Sequence, residues 1–161
     1  MNLIEKLKEL DDEKQQKLLE KIKKEGYRYG VYPLTMSQYL LWCGYSAGEN
    51  VVHHSNPGMM IRMKGISREK VIETVKQLRQ LQDPLRYRFV EIRGSYFQYI
   101  DDDTPWTLLE QDLADLAGQA QEEALEKCCE EFYFRPIDLI DGFPAVFELI
   151  TLSQTEYVLL I

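Results

Sequence analysis

The sequence has few metal-binding side chains and little positive charge. Only two of its 161 residues are histidine, and its three cysteines (Cys43, Cys128 and Cys129) show no CxxC spacing. We therefore predict no zinc site and no disulfide framework, and we expect three reduced, buried thiols. Acidic residues outnumber basic ones by 27 to 19, which gives a formal net charge of −8. Because such a field repels phosphate backbones and anionic lipid, neither nucleic acid nor a membrane surface is expected as a partner.

Long apolar runs are also missing from the sequence. No stretch approaches the roughly 20 apolar residues that a membrane-spanning helix needs, and no secretory signal pattern opens the chain. We therefore expect a cytoplasmic protein. Apolar residues nevertheless make up 45% of the chain, and ten tyrosines, six phenylalanines and two tryptophans add bulk. This composition suits a single domain, or one lobe of a larger one, with its own core.

The first 25 residues are highly charged and predict helix. Asp11 or Asp12 can cap the second of two short helices, because aspartate accepts hydrogen bonds from free N–H groups at a helix start. Since the apolar stripes are narrow, we expect residues 1–25 to form a leader that packs on a larger body or on a partner helix. The stripes comprise Leu3, Leu7 and Leu10, then Leu18, Leu19 and Ile22.

Residues 26–161 alternate between helical and extended patterns. This order predicts an α/β fold, specifically an α+β sandwich with helices packed on a mostly antiparallel sheet. In the first body helix, Leu40, Leu41 and Trp42 are expected to be buried. The predicted elements are an extended linker over 26–33, helices over 35–46, 68–82 and 112–133, a strand in MMIRMKG, a hairpin turning at Gly94-Ser95, and the strands AVFELITLS and EYVLLI.

Three stretches resemble, in order and spacing, motifs of one enzyme family. YPLTMSQYLLW is similar to SxAQxRLW after a YPL lead-in, although Leu40 stands at the arginine. QDPLRYRFVE resembles RHExLRTxF through Leu85, Arg86 and Phe89, and RPIDLIDGFPAVFELITLSQTEYVLLI resembles PFDLxxGPLLRAxLxxLxxxEHVLLL. The second motif departs from the family at Leu81, Gln82 and Asp83. On these motifs, residues 26–161 are identified as the N-terminal lobe of a nonribosomal peptide synthetase condensation domain.

The resemblance implies both a fold and an activity. The fold would be one lobe of the two-lobed chloramphenicol-acetyltransferase-like architecture. The complete domain would form an amide between an acyl or peptidyl donor and an aminoacyl acceptor, both tethered to carrier protein domains by phosphopantetheine. No cofactor would bind this chain directly. The implied partners are the carrier domains and a C-terminal lobe.

The family's catalytic HHxxxDG motif follows the strand that EYVLLI resembles, so it would begin after Ile161. We therefore expect no catalytic residue in this chain and no activity from it alone. The adjacent His53 and His54 are not that motif, because HHSNPGM lacks its aspartate and glycine. Neighbouring residues of an extended segment also point to opposite faces, so the pair is expected to form neither a catalytic site nor a metal site. Asp101–Asp103 are expected in a solvated turn.

The resemblance assigns roles to five residues. Arg86 would support the active site electrostatically, because a guanidinium can hold a carboxylate in fixed geometry. The alternative is a strand arginine that reaches into water. Gln38 and Trp42 would hold a helix on a sheet, Phe89 would be a structural position of its motif, and Asp138 would organise the turn after the long helix.

Other hypotheses remain open at this point. The departures at Leu40, Leu81 and Gln82 would suit a degenerate module kept for docking, and residues 1–25 could receive an upstream synthetase subunit as a helix in a groove. A different acyltransferase that shares the two-lobed fold is a further alternative. A lone lobe would expose the face of its missing partner, together with the strand EYVLLI, so a homodimer is also expected.

Overall fold

A computed structural model describes residues 6–7, 9–25, 30–46, 57–140 and 142–161. His53 and His54 lie outside these residues. The helices are α1 (Asp12–Glu25), α2 (Met36–Ser46), α3 (Arg68–Leu81) and α4 (Gln119–Tyr133), and a 3-10 turn covers Asp83–Arg86. The strands are β1 (Val31–Pro33), β2 (Met60–Lys64), β3 (Tyr87–Ile92), β4 (Ser95–Ile100), β5 (Leu109–Asp112), β6 (Glu148–Ser153) and β7 (Glu156–Leu160).

The strands form two sheets. A three-stranded sheet has the order β1-β4-β3 and is antiparallel throughout. A four-stranded sheet has the order β2-β7-β6-β5, in which β5 runs parallel to β6 and the other pairs are antiparallel. The expected α/β architecture with mostly antiparallel pairing is therefore confirmed.

Helix α1 packs on the three-stranded sheet. Its apolar stripe supplies Leu19 and Ile22 to a core cluster that also contains Leu7, Val31, Val90, Ile92 and Phe97. The backbone N–H of Lys14 donates to Asp11 Oδ1 at 2.9 Å, so the cap is Asp11, one of the two aspartates that the sequence offered. The leader thus lies against the body of the same chain, which is one of its two expected placements.

Helices α3 and α4 cover opposite faces of the four-stranded sheet. Val71 and Val75 of α3 pack against Leu149 and Leu159, while Leu125 of α4 packs with the alternate residues of β6 and β7. Strand β7 is therefore an inner strand with side chains buried on both faces. The expectation that EYVLLI would be exposed is wrong, because β2 pairs with it on one side and β6 on the other.

Several local predictions need correction. Residues 31–33 of the predicted linker form β1, an edge strand in which Pro33 is tolerated. The predicted helix 112–133 starts only at Gln119, and its first predicted residue, Asp112, belongs to a strand that pairs with β6 instead. The hairpin turns at Arg93-Gly94, where both residues have positive φ (51° and 69°), as a tight two-residue hairpin turn requires.

Two expectations of burial are also wrong. Leu40 and Leu41 are exposed, at 64% and 62%, because α2 turns only its Trp42 side towards the sheet. Cys43 is exposed as well and Cys129 only partly buried, whereas Cys128 is buried. All three cysteines are free.

Candidate functional site

Helix α2 is fastened to the three-stranded sheet by the glutamine of the first motif. The Gln38 backbone N–H donates to Thr35 Oγ1, and the Thr35 N–H donates to Gln38 Oε1 at 2.9 Å, so the two residues cap the helix reciprocally. Gln38 Nε2 also donates to Oε1 of the buried Gln98 on β4 at 2.6 Å. A single side chain therefore fixes both the start of α2 and its distance from β4.

Trp42 supplies the apolar contact between α2 and the same sheet. Its ring centroid lies 5.1 Å from that of Tyr96 and 6.0 Å from that of Phe89. The indole is 94% buried, being only 6% exposed. Gln38, Trp42 and Phe89 thus all lie at the contact between α2 and β3–β4.

Arg86 holds two carboxylates rather than reaching into water. Its Nη1 donates to Asp102 and its Nη2 to Asp83, each at 2.5 Å, and its side chain is only 15% exposed. The hydrogen bond to Asp102 raises the pKa of the guanidinium; burial opposes this and the bond to Asp83 adds to it. Arg86 and its two carboxylate partners, called here the Arg86 fork, therefore join the 3-10 turn to the loop that follows β4.

The loop after β4 is organised by a buried aspartate. Asp101 accepts hydrogen bonds from the Asp103 and Thr104 backbone N–H groups and from Thr104 Oγ1. Burial acts to raise the pKa of Asp101, but these hydrogen bonds lower it below its ordinary value. Asp101 is thus not the solvated residue that the sequence led us to expect. Within the described ranges, no group of three His, Cys, Asp or Glu side chains could hold a metal ion.

Two further arginines secure the irregular segment 134–147 that follows α4. The guanidinium carbon of Arg79 lies 4.6 Å from the Phe143 ring centroid, and that of Arg88 lies 5.5 Å from it. Arg88 Nη2 also donates to the Ile140 carbonyl at 3.3 Å. Burial lowers the pKa of Arg79, as does the nearby charge of Arg86. Neither arginine was predicted, although each lies within or beside the second motif.

The third motif folds into a tight turn at Asp138. The Ile140 N–H donates to Asp138 Oδ1 at 2.8 Å, and the Gly142 N–H donates to the Asp138 carbonyl. A Cβ atom on Gly142 would lie 2.4 Å from that carbonyl oxygen, so only glycine fits. Asp138 therefore lies at a turn.

An ion pair between a partly exposed arginine and a buried carboxylate, which sequence reasoning missed, ties the same segment to the sheet. Arg135 Nη1 lies 3.1 Å from Glu148 Oε2, and the Glu148 side chain is only 2% exposed. Gln111 of β5 donates to the other Glu148 oxygen, while the Cys128 thiol donates to Gln111. The burial of Glu148 could have been predicted from the alternation of side chains in β6, because this alternation puts Glu148 on the same face as the buried Ile150.

The segment that opens the third motif lies beside the carboxyl end of β7. Ile161 exchanges backbone hydrogen bonds of 2.9 Å with Met59, and a cavity of about 230 Å³ beside it is lined by Arg135, Ile137 and Pro144. The segment that lines this cavity is the one held by Arg79, Arg88 and Glu148. This surface is the candidate site, because the resemblance expects the catalytic motif to follow β7.

Comparison with protein families decides which group of proteins this is. The family model described as "Condensation domain" matches residues 28–161. The chain belongs to the condensation-domain family. No helix within the described residues is long and apolar enough to cross a membrane.

Solved structures of condensation domains share the fold. A structure concerning condensation domain-mediated chain release from the enacyloxin polyketide synthase superposes with a TM-score of 0.70 at 16% identity, covering 80% of this chain and 25% of that one. The starter condensation domain of rhizomide synthetase gives 0.69 at 19% identity, covering 81% of this chain and 31% of that one. The chain thus spans between a quarter and a third of these neighbours. A search of curated proteins found no match.

Proposed function

We propose that this chain forms one lobe of a condensation domain that joins a carrier-tethered acyl or peptidyl donor to the amine of a carrier-tethered acceptor. The observation that carries the proposal is the family match over residues 28–161. The position of the third motif beside the carboxyl end of β7 supports it. Phosphopantetheine would enter only as the tether of the substrates.

In this proposal the chain contributes position rather than proton transfer. Holding two reactants close together in the reactive orientation lowers the activation free energy, and the residues that do so need not react themselves. The sequence contains no HHxxxDG, so the proposed roles are to shape one wall and to keep it rigid. Arg86 acts as a positioning residue, because its two carboxylate partners fix the 3-10 turn and the loop after β4.

A lobe exchange tests the proposal. Residues 28–161 replace the corresponding residues of the rhizomide starter condensation domain, and amide formation is followed by mass spectrometry with loaded carriers. We expect the folded chimera to retain activity, and we expect Arg86→Met to lower kcat roughly tenfold or more with little change in KM, because the fork positions structure and does not bind substrate. Arg68→Met, which breaks an exposed pair with Glu110, is the matched control and should leave kcat unchanged. A correctly folded chimera without activity would contradict the proposal.

The second candidate function is a docking module, and the positions that depart from the motifs favour it. Leu40, Leu81 and Gln82 are all exposed, so their identities are free to change without loss of the fold. Among the residues that match the motifs, Trp42, Leu85 and Phe89 are at least half-buried, whereas Leu41 is exposed. If the chain is a docking module, the chimera should fold but form no amide. The lobe exchange therefore distinguishes the two candidate functions.

The remaining partners belong to the same proposal. Carrier domains and a C-terminal lobe would complete the site, in the cytoplasm. Binding of an upstream subunit through residues 1–25 would have to use the charged outer face of α1, since Leu19 and Ile22 are already buried. Homodimer formation stays a prediction. One of its two reasons, an exposed β7, no longer holds, while the other, the exposed face of a missing lobe, is untouched.

A further inference from the structure

One residue of α3 interrupts the apolar stripe of that helix. Val71 and Val75 are buried against the four-stranded sheet, and the next position on the same face, four residues further on, is Arg79. The helical period predicts an apolar side chain there, yet the chain has a partly buried guanidinium. An arginine at a stripe position therefore calls for an explanation.

Hydrogen bonding does not explain this arginine. Its Nε and Nη2 atoms are buried and have no hydrogen-bond partner among the described residues. Asp102, whose charge acts on Arg79, is bound by Arg86 instead. Burial lowers the pKa of the Arg79 guanidinium, and the charge of Arg86 lowers it further. Because burying N–H groups without acceptors costs free energy, Arg79 is not explained by the stability of the chain.

The guanidinium of Arg79 instead contacts two aromatic rings. Its central carbon lies 4.6 Å from the ring centroid of Phe143 and 5.7 Å from that of Trp106. A cation over the face of a ring is attracted by the quadrupole of the ring, and a flat guanidinium can serve two rings at once. Trp106 in turn packs edge-on against Phe147, with the ring centroids 5.7 Å apart. Arg79 is therefore connected, directly or through Trp106, to both phenylalanines.

Phe143 and Phe147 flank a wall of the candidate site. Residues 144–146, which lie between them, line the cavity of about 230 Å³ beside Ile161. Between α4 and β6 the described residues form neither helix nor strand, so contacts of the flanking side chains set the position of this wall. One guanidinium takes part in the contacts at both of its ends.

From this geometry we propose that Arg79 is a positioning residue of the condensation site. Its guanidinium, stacked on Phe143 and Trp106, fixes residues 144–146 relative to the carboxyl end of β7. The inference rests on the proposed function, because it assigns one more residue to the same site. It also explains why an arginine stands where an apolar residue would pack at least as well.

The first test uses the full chain and needs no activity. Arg79→Met keeps most of the length of the side chain but removes its charge and its N–H groups. We expect the urea midpoint to stay the same or rise, because an apolar replacement of a poorly paired buried charge is often neutral or stabilising. The backbone order parameters of Ala145 and Val146, measured by NMR, should fall from about 0.85 towards about 0.6.

The control for this test makes the same substitution on the same helix. Arg68→Met removes an exposed arginine of α3 and should leave both order parameters unchanged. A lower urea midpoint in Arg79→Met with unchanged order parameters would overturn the proposal, since Arg79 would then serve only the stability of the chain.

The second test measures kcat in the rhizomide chimera described above. Arg79→Met should lower kcat about tenfold with little change in KM, and Arg79→Lys, which keeps the cation but not the flat guanidinium, should restore only part of it. Phe143→Leu should lower kcat as much as Arg79→Met, and the double variant should lower it no further, because Arg79 acts through Phe143.

The outcomes separate this inference from the proposed function. An active chimera in which Arg79→Met leaves kcat unchanged, or in which the effects of the two substitutions multiply, would overturn the role of Arg79 and leave the proposed function standing. A folded chimera that forms no amide with Arg79 in place would overturn both.

Discussion

Replacing Arg135 with methionine should lower the free energy of unfolding by about 3 kcal/mol. The substitution leaves Glu148, whose side chain is 2% exposed, as a buried carboxylate without its cation. Breaking one partner of a buried pair costs several kcal/mol, and the lower end of that range applies because Arg135 is about one-third exposed. Urea denaturation with an unchanged m-value would measure the effect.

A second substitution separates the lost ion pair from lost packing around Arg135. In Arg135→Met/Glu148→Gln the charge is gone, while the amide oxygen can still accept from Gln111, so more than half of the lost stability should return. Lys127→Met breaks an exposed pair with Glu131 and should change stability by less than about 0.5 kcal/mol. A loss below about 1 kcal/mol in Arg135→Met would show that the pair does not hold segment 134–147.

Replacing Ile22 with alanine should cost about 3 kcal/mol, the usual loss for a fully buried isoleucine. Ile22 has no exposed surface and packs with Val31, Ile92 and Phe97 beneath the three-stranded sheet. The result matters for function, because a leader that serves only for docking could be truncated without loss of stability. Thermal and urea unfolding would both measure the change.

The control for this prediction lies on the opposite face of α1. Lys17→Ala removes an exposed pair with Glu13 and should have an effect within about 0.5 kcal/mol. If Ile22→Ala were equally mild, α1 would not be part of the core, and residues 1–25 would again be available as a separate docking element.

Elements with local signals could be predicted from the sequence. Ser67 caps α3 by accepting from the Lys70 N–H, and the terminal hairpin β6–β7 follows its apolar runs. Both depend on residues close together in the chain. The α1 stripe was predictable for the same reason, since a 3.6-residue period is visible without knowing what covers it.

Elements defined by distant pairing could not be predicted in this way. Strand β5 forms because residues 109–112 pair in parallel with β6, which follows only after the whole of α4. Strand β1 likewise depends on β4. The exposure of Leu40 and Leu41 depends on which distant elements pack against α2, and the local sequence pattern carries no information about that packing.

The candidate site shows the same division. The second motif pointed to Arg86, and the structure gives it two carboxylate partners. The contacts of Arg79, Arg88 and Arg135 went unpredicted because they fasten segment 134–147, which has no regular periodicity to align with α3, β3 and β6. Their partners are an aromatic ring, a carbonyl and a buried carboxylate, none of which a motif encodes.

The central claim is that this chain shapes a wall of a condensation site and does not itself catalyse condensation. The most direct measurement is amide formation by residues 1–161 alone, with donor and acceptor loaded on carrier proteins and product detected by mass spectrometry. A complete condensation domain serves as the positive control. We predict product at the spontaneous rate only. Enzyme-dependent product that scales with the concentration of this chain would contradict the claim.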